Sequence, residues 1–483
     1  MLLGGLIILA TAMTKGRMSS KQNQSTTITN ALITEHRESA TETLRVAIYP
    51  GVECAGGLIS NCGLESGKKS VYSQTYDLTV TFTFVEDFPE VARRLIEDEI
   101  DIAWATPELL ICCYHELKSI NPVAFLQYCW SQGAHLLIAQ REISSLEKLR
   151  GTRLACARGS AQFFAYYLLH HAGINITDVR WEITSTDSDA ALLYEKGSVD
   201  ACVICTQQLD DLAKKNIGHR VLISTEDATH LLSGIFIARE TTASLSGNLL
   251  ERFARGWFDG VQFVKDNPGE AISLLSRYLD SDTQSIARHL QRIHLADYSD
   301  NCDYFALSDD SLIGFNYIFE TFTTLGKGEE SSGIPSAHFV RDTIILSNIE
   351  KQMQSRRSPD RPSIPGTASQ YQYVTARVSI PFKRDSAVLP FDSFLQLKGI
   401  ARQAMVFESS QIHLSGSADP DAESGTSYLI QLREDAVVQF LHKTYGIPFS
   451  RFKIIRAPTV AGRDISDNKK RIDIRIAIPR GEG

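Results

Sequence analysis

Residues 151–201 read GTRLACARGSAQFFAYYLLHHAGINITDVRWEITSTDSDAALLYEKGSVDA. The apolar run Arg153–Ala157 predicts a strand. Gly159-Ser160 then marks a turn, and Ala161–Ala172 is apolar on most sides, as a packed helix is. Arg180–Thr184 predicts a second strand, Asp189–Lys196 a second helix, and Ala201–Cys205 a third strand. Strand and helix alternate with connections of a few residues, which implies a parallel sheet covered by helices and an α/β fold.

The same alternation continues on both sides. Leu44–Tyr49 is a short apolar strand closed by the turn pair Pro50-Gly51, and Leu78–Val85 alternates as a strand. Pro89 opens an amphipathic helix to Glu97, a position where the missing N–H costs nothing. Ile100–Trp104 and Leu136–Ala139 read as buried strands, and residues 248–278 turn helical. Residues 351–370, KQMQSRRSPDRPSIPGTASQ, hold three prolines and almost nothing apolar, and they read as a linker. The segment after it repeats the pattern on a smaller scale. Strands are expected over Tyr373–Phe382, Gln411–Leu414, Phe452–Arg456 and Arg471–Ile478, and helices over Ser393–Met405 and Ser427–Tyr445.

With 483 residues the chain has room for two or three domains. The division read here is a signal or anchor segment with its tether over 1–42, a first domain over 43–350, the linker, and a second domain over 371–483. A net charge of −8 gives no basic surface for a nucleic-acid partner. Leu2–Met13 has the length of a signal-peptide core and is too short to span a bilayer, so export to the cell envelope, with the N-terminus as leader or inner-membrane anchor, is expected. Of the nine cysteines, Cys54 and Cys62 lie in a glycine-rich stretch and are candidates for a local disulfide. Cys202-x-x-Cys205 has a redox spacing but sits in a strand, where buried core thiols are expected. His170-His171 lacks partners at metal-ligand spacing. No catalytic set, metal or cofactor is read from the sequence.

Two resemblances sharpen this. The quoted stretch, with EDFPEVARRLIEDEIDIAWATPELL (86–110) and NLLERFARGWFDGVQFVKDNPGEAISLL (248–275), resembles the type 2 periplasmic binding proteins of the nitrate, sulfonate, taurine and phosphonate group. This implies a two-lobed venus-flytrap domain with hinge crossings near 134–140 and 230–236. Ligands of open α/β sheets sit beyond the carboxyl ends of the strands. The loops there contain Gly51, Trp104, Thr106, Gly159, Ser160 and Thr186, the candidate solute-binding residues. Gly159-Ser160 opens a helix whose free N–H groups and positive dipole end suit an anion. Ser160 is also the expected helix cap. Trp104 either stacks on the solute or fills the core.

The second resemblance is to the OmpA-like peptidoglycan-binding domain. It rests on VSIPFKRDSAVL (378–389), on SGSADPDAESGTSYLIQLREDAVVQFLHKTYGIPFSRFKII (415–455), and on the basic pair Lys470-Arg471. Gly416–Asp419 stands where that family has Gly-His-Thr-Asp, and Leu429, Arg433 and Val437 fall on its helix positions. The resemblance implies that Asp419 holds the ammonium and Arg433 the carboxylate of a diaminopimelate stem. One anion and one bidentate cation suit such a zwitterionic end. The alternative is an internal Asp419–Arg433 salt bridge. The expected whole is a non-enzymatic solute-binding protein that serves an ABC transporter permease and is tethered to peptidoglycan. A structural envelope protein with a degenerate clamp, or an enzyme on the binding-protein fold, are the other readings.

Overall fold

The structure is a computed structural model that describes residues 42–245, 247–305, 312–326, 333–353, 370–383, 386–417, 426–455 and 471–480. The described residues from Thr43 onward cluster as one unit. The signal or anchor segment and its tether therefore lie outside the described residues, apart from Glu42. No helix among the described residues is long and apolar enough to cross a membrane.

Along the chain come β1 (Glu42–Ile48), α1 (Ala55–Asn61), β2 (Leu78–Phe84), α2 (Phe88–Ile96), β3 (Ile102–Ala105), α3 (Pro107–Cys112) and β4 (Pro122–Ser131). Then follow β5 (His135–Ala139), β6 (Arg153–Ala157), α4 (Ser160–His171), β7 (Arg180–Thr184), α5 (Asp187–Glu195), β8 (Ala201–Cys205) and β9 (Arg220–Ser224). The chain continues with β10 (Ser233–Arg239), α6 (Gly247–Asp266), β11 (Ile293–Leu295) and α7 (Phe315–Leu325). The last part holds β12 (Gln370–Tyr373), β13 (Val378–Pro381), α8 (Ser393–Val406), β14 (Gln411–Ser417), α9 (Thr426–Tyr445), β15 (Phe452–Ile454) and β16 (Arg471–Arg480).

The described strands form three sheets. The first lobe has the order β11-β4-β10-β3-β1-β2 and the second has β7-β6-β8-β5-β9. The expected all-parallel sheet is corrected here. β1 and β3 run parallel, but β10 is antiparallel to both β3 and β4, and β5 is antiparallel to both β8 and β9. The cause is topological. The chain leaves the first lobe after β4 and returns to it as β10, so the strands at the crossings enter each sheet from the opposite end. The crossings are 132–134 and 225–232, a few residues ahead of the expected positions, because β5 and β10 already begin at His135 and Ser233. Thr225 ties the two crossings together. Its hydroxyl lies 2.9 Å from Ser131 Oγ and accepts the N–H of Gly133 (2.9 Å) and of His135 (3.2 Å).

Packing explains which faces the helices cover. In the first lobe α1 lies against α6 so closely that a Cβ on Gly57 would stand 2.3 Å from the Trp257 ring and one on Gly260 1.9 Å from the Gly56 carbonyl oxygen. Trp257 is fully buried there among Phe82, Phe236 and Phe253. In the second lobe one face of the sheet packs under α4, and the other forms a separate core from Ile138, Ala155, Ala190, Tyr194 and Ile204 under α5. α7 touches helices of both lobes, with Phe322 edge-on to Phe163 of α4 at 5.5 Å and contacts to α3.

The third sheet has the order β12-β16-β14-β15, with β13 also on β16, and carries α8 and α9. The single strand expected over Tyr373–Phe382 is two strands, because the chain leaves β16 after Tyr373 and rejoins it at Val378. This layer packs on the first domain. Gln403 Nε2 donates to His171 Nδ1 (2.7 Å), Arg402 Nε to the Leu312 carbonyl (3.1 Å), and Glu408 Oε1 stands 3.5 Å from His230 Nδ1 in the second crossing. The expected linker is described only at Lys351–Met353 and Gln370.

No disulfide joins any two of the nine cysteines. The Cys54–Cys62 disulfide is thereby corrected. The stretch read as a glycine-rich loop is helix α1, which holds the two thiols at its opposite ends. Cys202 is buried in β8, as expected of a core thiol, while Cys205 at the strand's end is only partly buried.

Candidate functional site

The carboxyl ends of β1, β3, β6, β7 and β8 bring most of the expected loops together between the lobes. Their centre is a carboxylate the sequence reading did not single out. Thr106 caps α3 by accepting the Leu109 N–H (3.2 Å), which places Glu108 in the helix's first turn, fully buried. Ser160, from the other lobe, puts its Oγ 3.2 Å from Thr106 Oγ1 and 3.2 Å from Glu108 Oε2. The expected side-chain cap is not made. Gly159 holds the N-cap position with no side-chain bond, and Ser160 is the first helical residue, turned across the cleft. Gly159 has φ +92°, and a Cβ there would lie 2.9 Å from Leu109 Cδ2, so the close meeting of α3 and α4 requires glycine. Burial pushes the Glu108 carboxyl up to about 7, against the hydrogen bonds from its own N–H, Thr106 and Ser160. Its Oε1 has no hydrogen-bond partner.

A second group lies at the ends of β1, β5 and β8. Tyr49 is 40% exposed and stands edge-on to Trp104 at 5.3 Å. Burial and then the nearby Glu53, Cys205, Glu86 and Asp187 push its hydroxyl up to about 12. Trp104 itself is buried against Phe88, with Nε1 donating to the Val85 carbonyl (2.7 Å), so Tyr49 presents the open aromatic face. Gly51 is extended, and a Cβ on it would stand 1.9 Å from Glu53 Oε2. Thr186 caps α5, accepting the Asp189 N–H (3.1 Å) and donating to Asp189 Oδ2 (2.8 Å). Asp187, next to it, accepts the Cys205 thiol at 2.8 Å. His135, Asp187 and Cys205 each offer a metal-ligating atom, all within 4.8 Å of one another.

Of the expected residues, Thr106, Gly159 and Ser160 thus meet at one point, and Gly51 and Trp104 flank Tyr49. The sequence carried a weak sign of Glu108, a glutamate two residues after a capping threonine in the apolar run ATPELL, but a first-turn glutamate is ordinary. His135, Asp187 and Cys205 lie 52 and 18 residues apart in sequence, and only the fold joins them: the β5–β8 register sets His135 opposite Cys205, and Asp187 at the start of α5 accepts the Cys205 thiol.

In the third layer Arg433 is 4% exposed. Its Nε donates to the Ser386 carbonyl (2.8 Å) and its NH2 to the Lys383 carbonyl (3.0 Å), and its guanidinium lies over the Phe382 ring. Arg433 therefore holds the chain that follows β13. Asp419, its expected companion, lies outside the described residues. A cavity of about 540 Å³ lies among His171, Tyr317, Glu320, Arg341 and Arg402. Two of these bond across to or from the third layer, so it is a crevice of that contact and not a meeting of strand ends.

Residues 72–249 match the family described as ABC transporter, phosphonate, periplasmic substrate-binding protein. Among solved structures, the chain is similar to the periplasmic aliphatic sulphonate binding protein SsuA from Escherichia coli, with 17% identity and a TM-score of 0.44 over 54% of this chain and 88% of that one. It is similar to the alkanesulfonate-binding protein SsuA from Xanthomonas axonopodis pv. citri bound to MOPS, with 14% identity and a TM-score of 0.45 over 62% and 98%. The putative sulfonate-binding SsuA from Methylobacillus flagellatus KT gives 14% identity and a TM-score of 0.49 over 67% and 99%. No curated protein matches the chain.

Proposed function

We propose that this protein is a cell-envelope solute-binding protein of an ABC import system, that it captures a small anionic solute between its lobes, and that its third layer tethers it to peptidoglycan. One observation carries the solute reading. Thr106 and Ser160, on opposite lobes, converge at the start of α4 on a single carboxylate, that of Glu108. A set of donors gathered on an anion at a helix N-terminus is the chemistry that a phosphonate or sulfonate head requires. In this reading the solute's oxygens replace Glu108 on the two hydroxyls as it enters, and Tyr49 covers its body. The family matched by residues 72–249 supports this choice of anion.

Calorimetric titration with methylphosphonate and ethanesulfonate, beside an uncharged amide of similar size, tests it. The anions are expected to bind and the amide not. Ser160→Ala should weaken anion binding by about ten- to a hundredfold, the worth of one hydrogen bond to a charged group. Glu108→Gln should strengthen it by removing the competing charge. No heat and no thermal shift with either anion would remove the reading. The tether is tested separately. The full chain is expected to sediment with purified sacculi, and Asp419→Asn to abolish this without changing the melting temperature. Equal sedimentation of both proteins, or of neither, would count against the tether.

A further inference from the structure

We propose that His135, Asp187 and Cys205 form a binding site for one divalent transition-metal ion of the zinc class, placed where the second lobe faces the cleft. Imidazole, carboxylate and thiol are the donor types such ions take, with bonds of about 2.0–2.3 Å, so atoms within 4.8 Å of one another can share one ion. The set stands on rigid elements. His135 and Cys205 are cross-strand partners in the β5–β8 ladder, and Asp187 is the first residue of α5, whose cap is made by Thr186. His135 is oriented by Ser131, whose Oγ lies 3.2 Å from Nδ1 and 2.9 Å from Thr225 in the hinge. Such outer hydrogen bonds commonly fix a metal-bound imidazole.

A second observation points to a ligand. The Cys205 thiol satisfies only Asp187 Oδ2, while Oδ1 of the same carboxylate is buried with no hydrogen-bond partner. A buried carboxylate oxygen left bare is costly, and a cation bound there removes that cost. Three protein donors leave a four-coordinate ion one further position. Glu53 of the first lobe, whose Oε2 is likewise buried and unpartnered, acts electrostatically on Cys205 from across the cleft. The alternative is a thiol–carboxylate hydrogen bond that needs no ion. This inference does not rest on the anion reading, because every group it uses differs from Thr106, Glu108 and Ser160.

The experiment uses the full chain, stripped with a chelator and titrated with Co²⁺. The expected result is one ion per chain and a thiolate-to-cobalt charge-transfer band in the near ultraviolet, with competition by Zn²⁺. Cys205→Ser should abolish the band, while Cys62→Ser, at an exposed thiol elsewhere, should keep it. Changes to outer-shell partners alone cost about ten- to a hundredfold in metal affinity, so His135→Ala should cost at least about that. Asp187→Asn preserves shape and α5, and should weaken binding with an unchanged melting curve, which keeps the test decisive if the other variants fail to fold. No stoichiometric binding by the wild-type chain, or a band that survives Cys205→Ser or is unaltered by Asp187→Asn, would overturn the proposal.

Discussion

The residue that most changes the reading of this molecule is Glu108. Its folded value of about 7 lies above the ordinary 4.5, so the stability it contributes is fully present below about pH 4.5 and is lost as the pH rises through 7. The difference corresponds to about 3 kcal/mol. Glu108→Gln, which keeps the shape, should raise the melting temperature at pH 8 and leave it nearly unchanged at pH 4.5. Melting curves across that range check this, and parallel pH profiles of the two proteins would show that Glu108 ionises at an ordinary value. The neighbouring candidates were legible for a local reason. Gly159-Ser160 and Thr106 lie at strand ends, and strand ends are visible in one dimension. That Ser160 crosses to Glu108 and does not cap its own helix depends on how α3 meets α4, which no local pattern encodes.

At the scale of elements, the stretch 151–201 was readable almost to the residue. Arg153–Ala157, Arg180–Thr184 and Ala201–Cys205 are strands as read, the first and last as short, mostly buried apolar runs and Arg180–Thr184, RWEIT, as a more exposed strand at the sheet's edge. β4 and β10 were not anticipated. Nearly every residue of both is buried, so neither alternates, and apolar runs of that kind carry no period to detect. Strand direction was misread for the same reason as the crossings, since both are set by where the chain changes lobe. The α1–α6 pair yields a prediction of its own. Gly260 lets the two backbones touch, so Gly260→Ala should destabilise the protein by about 1–3 kcal/mol through overpacking. Gly269→Ala, with open space around its would-be Cβ, is the control. Equal chemical-denaturation midpoints for the two variants would contradict this account.

At the scale of the whole molecule, the third layer is seated on the first domain at residues that titrate. Burial, and then His170 beside it, push His171 down to about 3. Its unfolded value is 6.5, so the stability it contributes is present above 6.5 and is lost as the pH falls toward 3. The His171 carbonyl accepts the Ala376 N–H, and its ring accepts from Gln403. Hydrogen exchange at Ala376 should therefore quicken on acidification from pH 6.5 to 4, after correction for the intrinsic rate, while exchange in the β14–β16 ladder does not. Matched changes at both places would mean that the layer unfolds and does not detach. The existence of this layer was legible from the linker and from the patterning after it. Its seat was not, because Arg402 and Gln403 read as ordinary polar positions of a surface helix and Glu408 as a polar residue just after it.

The contact between Glu408 and His230 has a thermodynamic consequence. His230 belongs to the second crossing, the segment that any opening of the lobes must bend, so the seat of the third layer and the state of the cleft draw on one stretch of backbone. Coupling of this kind is reciprocal. Whatever factor solute capture imposes on the seating of the third layer, a load on that layer imposes on solute capture. On the function proposed above, a copy held by the wall and a copy free in solution would be two binders of unequal strength, with a single sequence between them.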